Sequence, residues 1–177
     1  MINTAQTLID PSLAPLFGVA GLAARVASPL FSWRRQILTA QLASSCLFAA
    51  SYGLMNQQTA TSVCLIGAMQ TTVALLAGDR SWLNLMGYVF LPLVLVIGAL
   101  TFSGAPTILA VAACCLMMIG RLQRDLLRMR GIQLCSGPFG AAHDVVVGAW
   151  PCLVGAILSF IIAAAAFRRE VTRSEGA

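Results

Sequence analysis

The sequence predicts an all-α integral membrane protein: seven transmembrane helices, set out as two parallel triple-helix bundles joined by a linker helix. Three observations predict it. The chain is 59% hydrophobic and only 10% charged, with a mean hydropathy of +0.86, whereas soluble domains average roughly 25% charged residues. Apolar runs follow one another along its length, and a spanning helix needs ~20 mostly apolar residues. The arginines gather at alternate connections between the runs, as they do in loops held on a cytoplasmic face.

Residues 1–12 read as a short external segment, without the positive n-region of a secretory signal. The first run is Leu13 to Phe31, the second Gln36 to Leu54 and the third Thr59 to Ala77. These make a first triple-helix unit over 13–80. The fourth run, Trp82 to Phe102, is the linker helix within 81–103. The fifth run, Pro106 to Gly120, the sixth, Leu126 to Val146, and the seventh, Gly148 to Phe167, make a second unit over 104–169. Residues 170–177 form a cytoplasmic tail. The sixth run is the least regular, because it holds Gly131, Gln133, Ser136, Gly137, Pro138, His143 and Asp144.

Short connections make neighbouring helices antiparallel. Arg34 and Arg35 mark the first connection, Arg80 the third, Arg121, Arg124, Arg128 and Arg130 the fifth, and Arg168, Arg169 and Arg173 the tail. The second and fourth connections carry no arginine. Ten of the eleven basic residues then share one side, which puts the N-terminus outside and the C-terminus in the cytoplasm. Trp33, Trp82 and Trp150 fall near run ends, where interfacial anchors belong. The net charge of +5 is explained by this topology and by anionic headgroups, not by nucleic acid.

The two units follow one plan. Each has a helix, an Arg-rich turn, a helix, a short turn, and a helix with a charged end. Sliding one over the other sets Arg35 on Arg124, Leu38 on Leu127 and Cys46 on Cys135. With an odd helix between them, both units point the same way, a parallel repeat about the membrane normal.

Arg34-Arg35 followed by Gln41 and Tyr52-Gly53 resembles the first half of the YgjV-type bacterial inner-membrane protein family. The Arg-rich turn, Ala142-His143-Asp144, Gly148 and Phe167-Arg168-Arg169 match its second half, so the resemblance covers roughly 16–170. The helix pattern is similar to that of the SWEET, semiSWEET and PQ-loop group. The resemblance implies a bacterial inner-membrane location and a solute pathway between two triple-helix bundles. SWEET-like proteins commonly place an asparagine in the third helix of each bundle. Here the asparagines are Asn3, Asn56 and Asn84, so a pocket built on paired asparagines is not expected.

Five residues stand out as candidates for lining a pathway: Arg25, Gln70, Thr71, His143 and Asp144. Arg25 sits within the first apolar run. A charge at mid-membrane costs on the order of 2.5–3.5 kcal/mol and marks an anion site or a buried ion pair by default; the alternative is snorkelling to the interface. His143 and Asp144 combine a side chain that titrates near neutral pH with a carboxylate, suited to a proton-coupled step. Adjacent helical residues point about 100° apart, so the pair need not touch, and a wetted helix end is the competing reading. Gln70, Thr71 and Thr72 form a polar step in the third run, and Gln41 and Gln133 sit in the second helix of each unit. Such groups either line a pathway or bond to neighbouring helices.

Six cysteines lie in apolar runs without metal spacing. No metal set, cofactor motif or catalytic constellation is expected, so the protein is not read as an enzyme. Two functions remain. One is a small-solute transporter or facilitator, its solute unidentified. The other is a non-transporting scaffold or partner-binding subunit. The lipid bilayer is the partner in both, and a homodimer is compatible with either.

Overall fold

The computed structural model describes residues 13–78 and 80–175. Asp79 and the predicted external segment lie outside the described residues. Within them the chain is helical, with eight α-helices and one 3-10 turn. Helix α1 is Ala14–Ala27, with the 3-10 turn Ser28–Leu30 after it. Next come α2, Arg34–Leu54, and α3, Gln58–Ala77. Two short helices follow, α4, Ser81–Gly87, and α5, Phe90–Leu100. The last three are α6, Ala105–Leu122, α7, Leu126–Val146, and α8, Trp150–Glu175.

Three segments, Arg34–Leu54, Ala60–Ala77 and Ala105–Leu122, are long and apolar enough to cross a membrane. Ala14–Leu30 and Leu85–Leu100 are apolar but shorter. The surface fits a lipid solvent. Leu16, Val19, Leu76, Leu100, Val154 and Ile161 are all exposed. Isolated surface apolar residues are ordinary, but bands of them on several helices mark contact with lipid or a partner.

The fourth run differs from its expected single helix. It breaks at Tyr88 and Val89, between α4 and α5. The cause is Pro92, whose ring conflicts with the carbonyl four residues earlier, at Tyr88. Restarting the helix at Phe90 puts Pro92 in a first turn, where its missing N–H loses nothing. Conversely, the sixth run is more regular than its composition: α7 continues through Pro138. It opens with an N-cap, the Asp125 carboxylate accepting from the Leu127 and Arg128 N–H groups at 3.2 and 3.3 Å. The last helix also exceeds its expected length, running through residues assigned to the tail.

Helix α2 packs on α1 and α3, and α7 packs on α6 and α8. Between the two groups, α1 meets α8 and α3 meets α6. The Ser44 hydroxyl donates to the Gly21 carbonyl, and Ser51 to Ala14, each at 2.8 Å. These bonds require close helix approach, and a Cβ on Gly21 would lie 3.2 Å from the Phe48 ring.

A shift of 92 residues carries Leu30 to Leu122, Arg34 to Leu126, Leu54 to Val146 and Gln58 to Trp150. These are the boundaries of corresponding elements. The register set by helix ends therefore differs from the one that aligns Arg35 with Arg124, by three positions.

The buried apolar cluster, Ile37, Leu38, Ala74, Leu122 and Met129, lies at one end of the bundle, where α2 and α7 begin and α3 and α6 finish. Two arginines cross between the groups there. Arg34 donates to the Arg121 and Gln123 carbonyls at 3.0 and 2.8 Å, and to Ala74 at 3.4 Å. Arg130 donates to the Pro29 and Phe31 carbonyls. Under the 92-residue shift Pro29 corresponds to Arg121 and Phe31 to Gln123. Each group thus sends an arginine from its second helix onto the matching carbonyls of the other.

Candidate functional site

The polar interior is built where α2, α3, α6 and α7 approach one another. Arg121, in the last turn of α6, donates from Nε to Gln41 Oε1 at 3.0 Å and from a terminal nitrogen to the Gly67 carbonyl at 3.4 Å. Gln41 in turn donates to Gln133 Oε1 at 3.1 Å. Gln41 and Gln133 are equivalent under the 92-residue shift, so the network crosses the boundary between the groups at corresponding residues. Gly67 leaves room for this, since Arg121 and Ser45 lie against the space a side chain would fill.

Gln70 is fully buried and donates to the Met118 carbonyl at 3.0 Å. Its Oε1 has no partner, and neither does Nε2 of Gln133. Buried polar atoms without partners are uncommon and call for an explanation, such as an ion or water. Thr71 is buried as well, but its hydroxyl bonds within its own helix, to Gly67. Thr72 does the same with Ala68.

Arg25 lies in the last turn of α1, toward the tied end of the bundle rather than halfway along the helix. It is exposed on this chain. The five cysteines with described side chains are free.

His143 and Asp144 do meet, with Nδ1 of His143 3.2 Å from Asp144 Oδ1. They sit in the last turn of α7, ten residues beyond Gln133, or about 15 Å by helical rise. Of the five candidates, Arg25, Gln70 and Thr71 thus gather toward one end of the bundle, and His143 and Asp144 lie toward the other. Gln70 reaches α6 rather than α8. Ser159 of α8 has a buried hydroxyl without a partner.

Sequence reasoning missed Arg121, which it assigned to a headgroup-facing loop. No local signal marked it: only the fold shows that Gly120, the residue before Arg121, is buried against Gln133, so that the chain is still inside the bundle there.

A helical bundle with apolar residues exposed along several helices and a polar network in its interior is a membrane protein of the multi-pass class. No curated protein and no solved structure matches the chain. A family model does, over residues 12–173. The chain belongs to the Imp-YgjV family of bacterial inner membrane proteins.

Proposed function

We propose that this protein is a small-solute transporter or facilitator, with its pathway between two parallel units of three helices. The chain crosses the membrane seven times in this reading, α4 and α5 together forming the linker. The N-terminus is outside and the arginine-rich end of the bundle faces the cytoplasm. The protein moves or binds its solute without chemical conversion. The single observation that carries this reading is the Arg121–Gln41–Gln133 network, with unpartnered amide atoms at Gln70 and Gln133, inside an otherwise apolar bundle. A packed scaffold has little reason to keep buried amides unsatisfied, since each such group costs about 1–3 kcal/mol.

Single cysteines on a Cys-free background test it in whole cells, at Gln70, Thr71 and Ser159, with Asn56 and Ser103 as controls at the end of the bundle where His143 lies. Labelling of the deep positions by a membrane-impermeant thiol reagent, together with solute flux in proteoliposomes, is the expected result. Protection of every deep position from both sides of the membrane overturns it.

The scaffold reading is favoured by one observation. Thr71 and Thr72 use their hydroxyls within α3, as residues in a closed helix do.

A further inference from the structure

On the outside of the bundle, α7 and α8 leave an open groove of about 340 Å³ between them. Arg128, Gly131, Ile132 and Cys135 of α7 line it, with Leu127 beside them and Phe167 of α8 as the facing wall. The spacing explains the shape. Positions i, i+3, i+4 and i+7 fall on one face of a helix, so these residues form a single stripe along α7. From Arg128 to Cys135 the stripe runs about 10 Å by helical rise. Gly131 keeps the floor low, since a Cβ there would lie 3.3 Å from Phe167 Cε2 and crowd the space between the walls.

Charge is confined to the mouth. The lining is almost all carbon, so Arg128 lends its methylene stem to the groove and holds its guanidinium outside. The Arg128 side chain is 78% exposed, and its contact with Asp125 is long at 3.6 Å. Such solvated pairs hold an arginine weakly, and the Asp125 carboxylate already accepts from the Leu127 and Arg128 N–H groups. Arg168 and Arg169, which follow Phe167 on α8, are exposed as well. Glu170 answers Arg130 rather than these two, at 4.0 Å.

A basic mouth above about 10 Å of apolar groove matches one class of molecule. One leaflet is about half of a ~30 Å hydrocarbon core, so the groove follows roughly two-thirds of its depth. A soluble acidic partner would meet the arginines but not enter the groove, and an apolar helix would fill the groove but leave Arg128 unanswered. We propose that the α7–α8 groove binds an anionic phospholipid, with one acyl chain along the Arg128–Cys135 stripe and the phosphodiester on the Arg128 guanidinium. The planar fork of arginine fits two phosphate oxygens, and basic residues beside a membrane draw anionic headgroups toward it. The site stands whether or not a solute crosses the bundle.

Full-length protein in maltoside micelles is mixed with phosphatidylglycerol or with phosphatidylcholine of the same acyl chains. Native mass spectrometry counts the lipids retained, and the melting midpoint reports stabilisation, because a ligand that binds only the native state raises it. One phosphatidylglycerol held per chain, saturably and in preference to phosphatidylcholine, is the expected result. Arg128→Gln should raise the half-saturating concentration about tenfold, the scale of one hydrogen bond between charged partners. Cys135→Trp should do the same by filling the deep end of the groove. Both positions are exposed, so neither variant threatens the fold. Arg35→Gln is the control: Arg35 is exposed too, but α2 does not line the groove. Its loss should leave binding close to that of the parent at about 0.15 M salt, where distant charges are screened. Glycerophosphoglycerol, the headgroup without its tails, should not compete. Equal losses in Arg35→Gln and Arg128→Gln, or competition by the bare headgroup, would mean diffuse attraction to a basic surface and end the proposal. Unchanged retention in Cys135→Trp, or no preference for the anionic lipid, would end it too. A dimer that persists without lipid and dissociates in Cys135→Trp would give the groove to a second copy of the chain instead.

Discussion

The two ends of the bundle are held by different kinds of bond. At the end where α2 and α7 begin, Arg34 and Arg130 reach carbonyls 87 to 101 positions away in sequence. The buried apolar cluster lies beside them. At the opposite end Ser51 of α2 bonds to Ala14 of α1, and other bonds are local. Asn56 donates its N–H to Gly53, Thr61 its hydroxyl to Gln57, and Ser103 its N–H to Thr107. Val145, Val146, Val147 and Trp150 are exposed there, and an open depression lies among Gly53, Asn56, Thr61 and Ser62. Arginines stitch one end across the two groups, and the bonds just named at the other end stay within one part of the chain. A solute carrier needs such a difference, because a bundle fastened equally at both ends has no side from which to admit anything.

The largest effect is expected where the stitching is deepest. Arg130→Ala removes a buried guanidinium from two carbonyls and from Glu170. It should lower unfolding stability in detergent by about 3–5 kcal/mol, the scale for breaking a buried charged contact. A loss below about 1 kcal/mol would mean that the two groups hold together without this arginine. Arg34→Ala should come next, at about 2–3 kcal/mol, because Arg34 is only half-buried and, among the described residues, has no carboxylate within ion-pair distance. Arg34→Lys should recover little of it, since an ammonium cannot span three carbonyls as the fork does; denaturant titration of both variants decides. Glu170→Gln should cost less than about 1 kcal/mol, the pair being long at 4.0 Å.

At the open end the sign should change. Asn56 has a φ of 57°, in the left-handed region that glycine adopts freely. Asn56→Gly should leave stability within about 0.5 kcal/mol of the parent, because Asn tolerates this region nearly as well. Amide hydrogen exchange in nanodiscs sharpens the contrast. Amides near residues 53–62 should exchange faster than those of Ile37 and Leu38, which open only with larger unfolding events. Equal protection at the two ends would erase the asymmetry.

Much of this architecture was legible in the sequence. The helices could be read because apolar runs bounded by Gly, Pro and charged turns have no other structure open to them in lipid. The break at Tyr88 was legible in principle, since Pro92 forbids an undisturbed helix, but composition treated the run as one span. The order of elements was legible, but the helix ends fall three positions away from the register that aligned the arginines. Arginine placement follows each group's need for donors at the partner's exposed carbonyls, and that need is nonlocal. The same reason hid Arg121. A run of arginines reads as a solvated loop, and nothing local reveals that Gly67 and Gln41 wait for one of them on other helices.

The crossed arginines also bear on how the protein is made. The acceptors of Arg34 at Arg121 and Gln123 lie 87 and 89 residues further along the chain. Those carbonyls are synthesised after α1, α2 and α3, so the contacts of Arg34 with them cannot form until α6 is in place. The reciprocal contact cannot form until Arg130 follows. Insertion helix by helix therefore ends in a late docking step, and domains assembled this way expose unfinished surfaces until their last elements arrive. The two halves, produced as separate chains in one cell, should find each other through the same two arginines; produced alone, each keeps a set of carbonyls meant for the other.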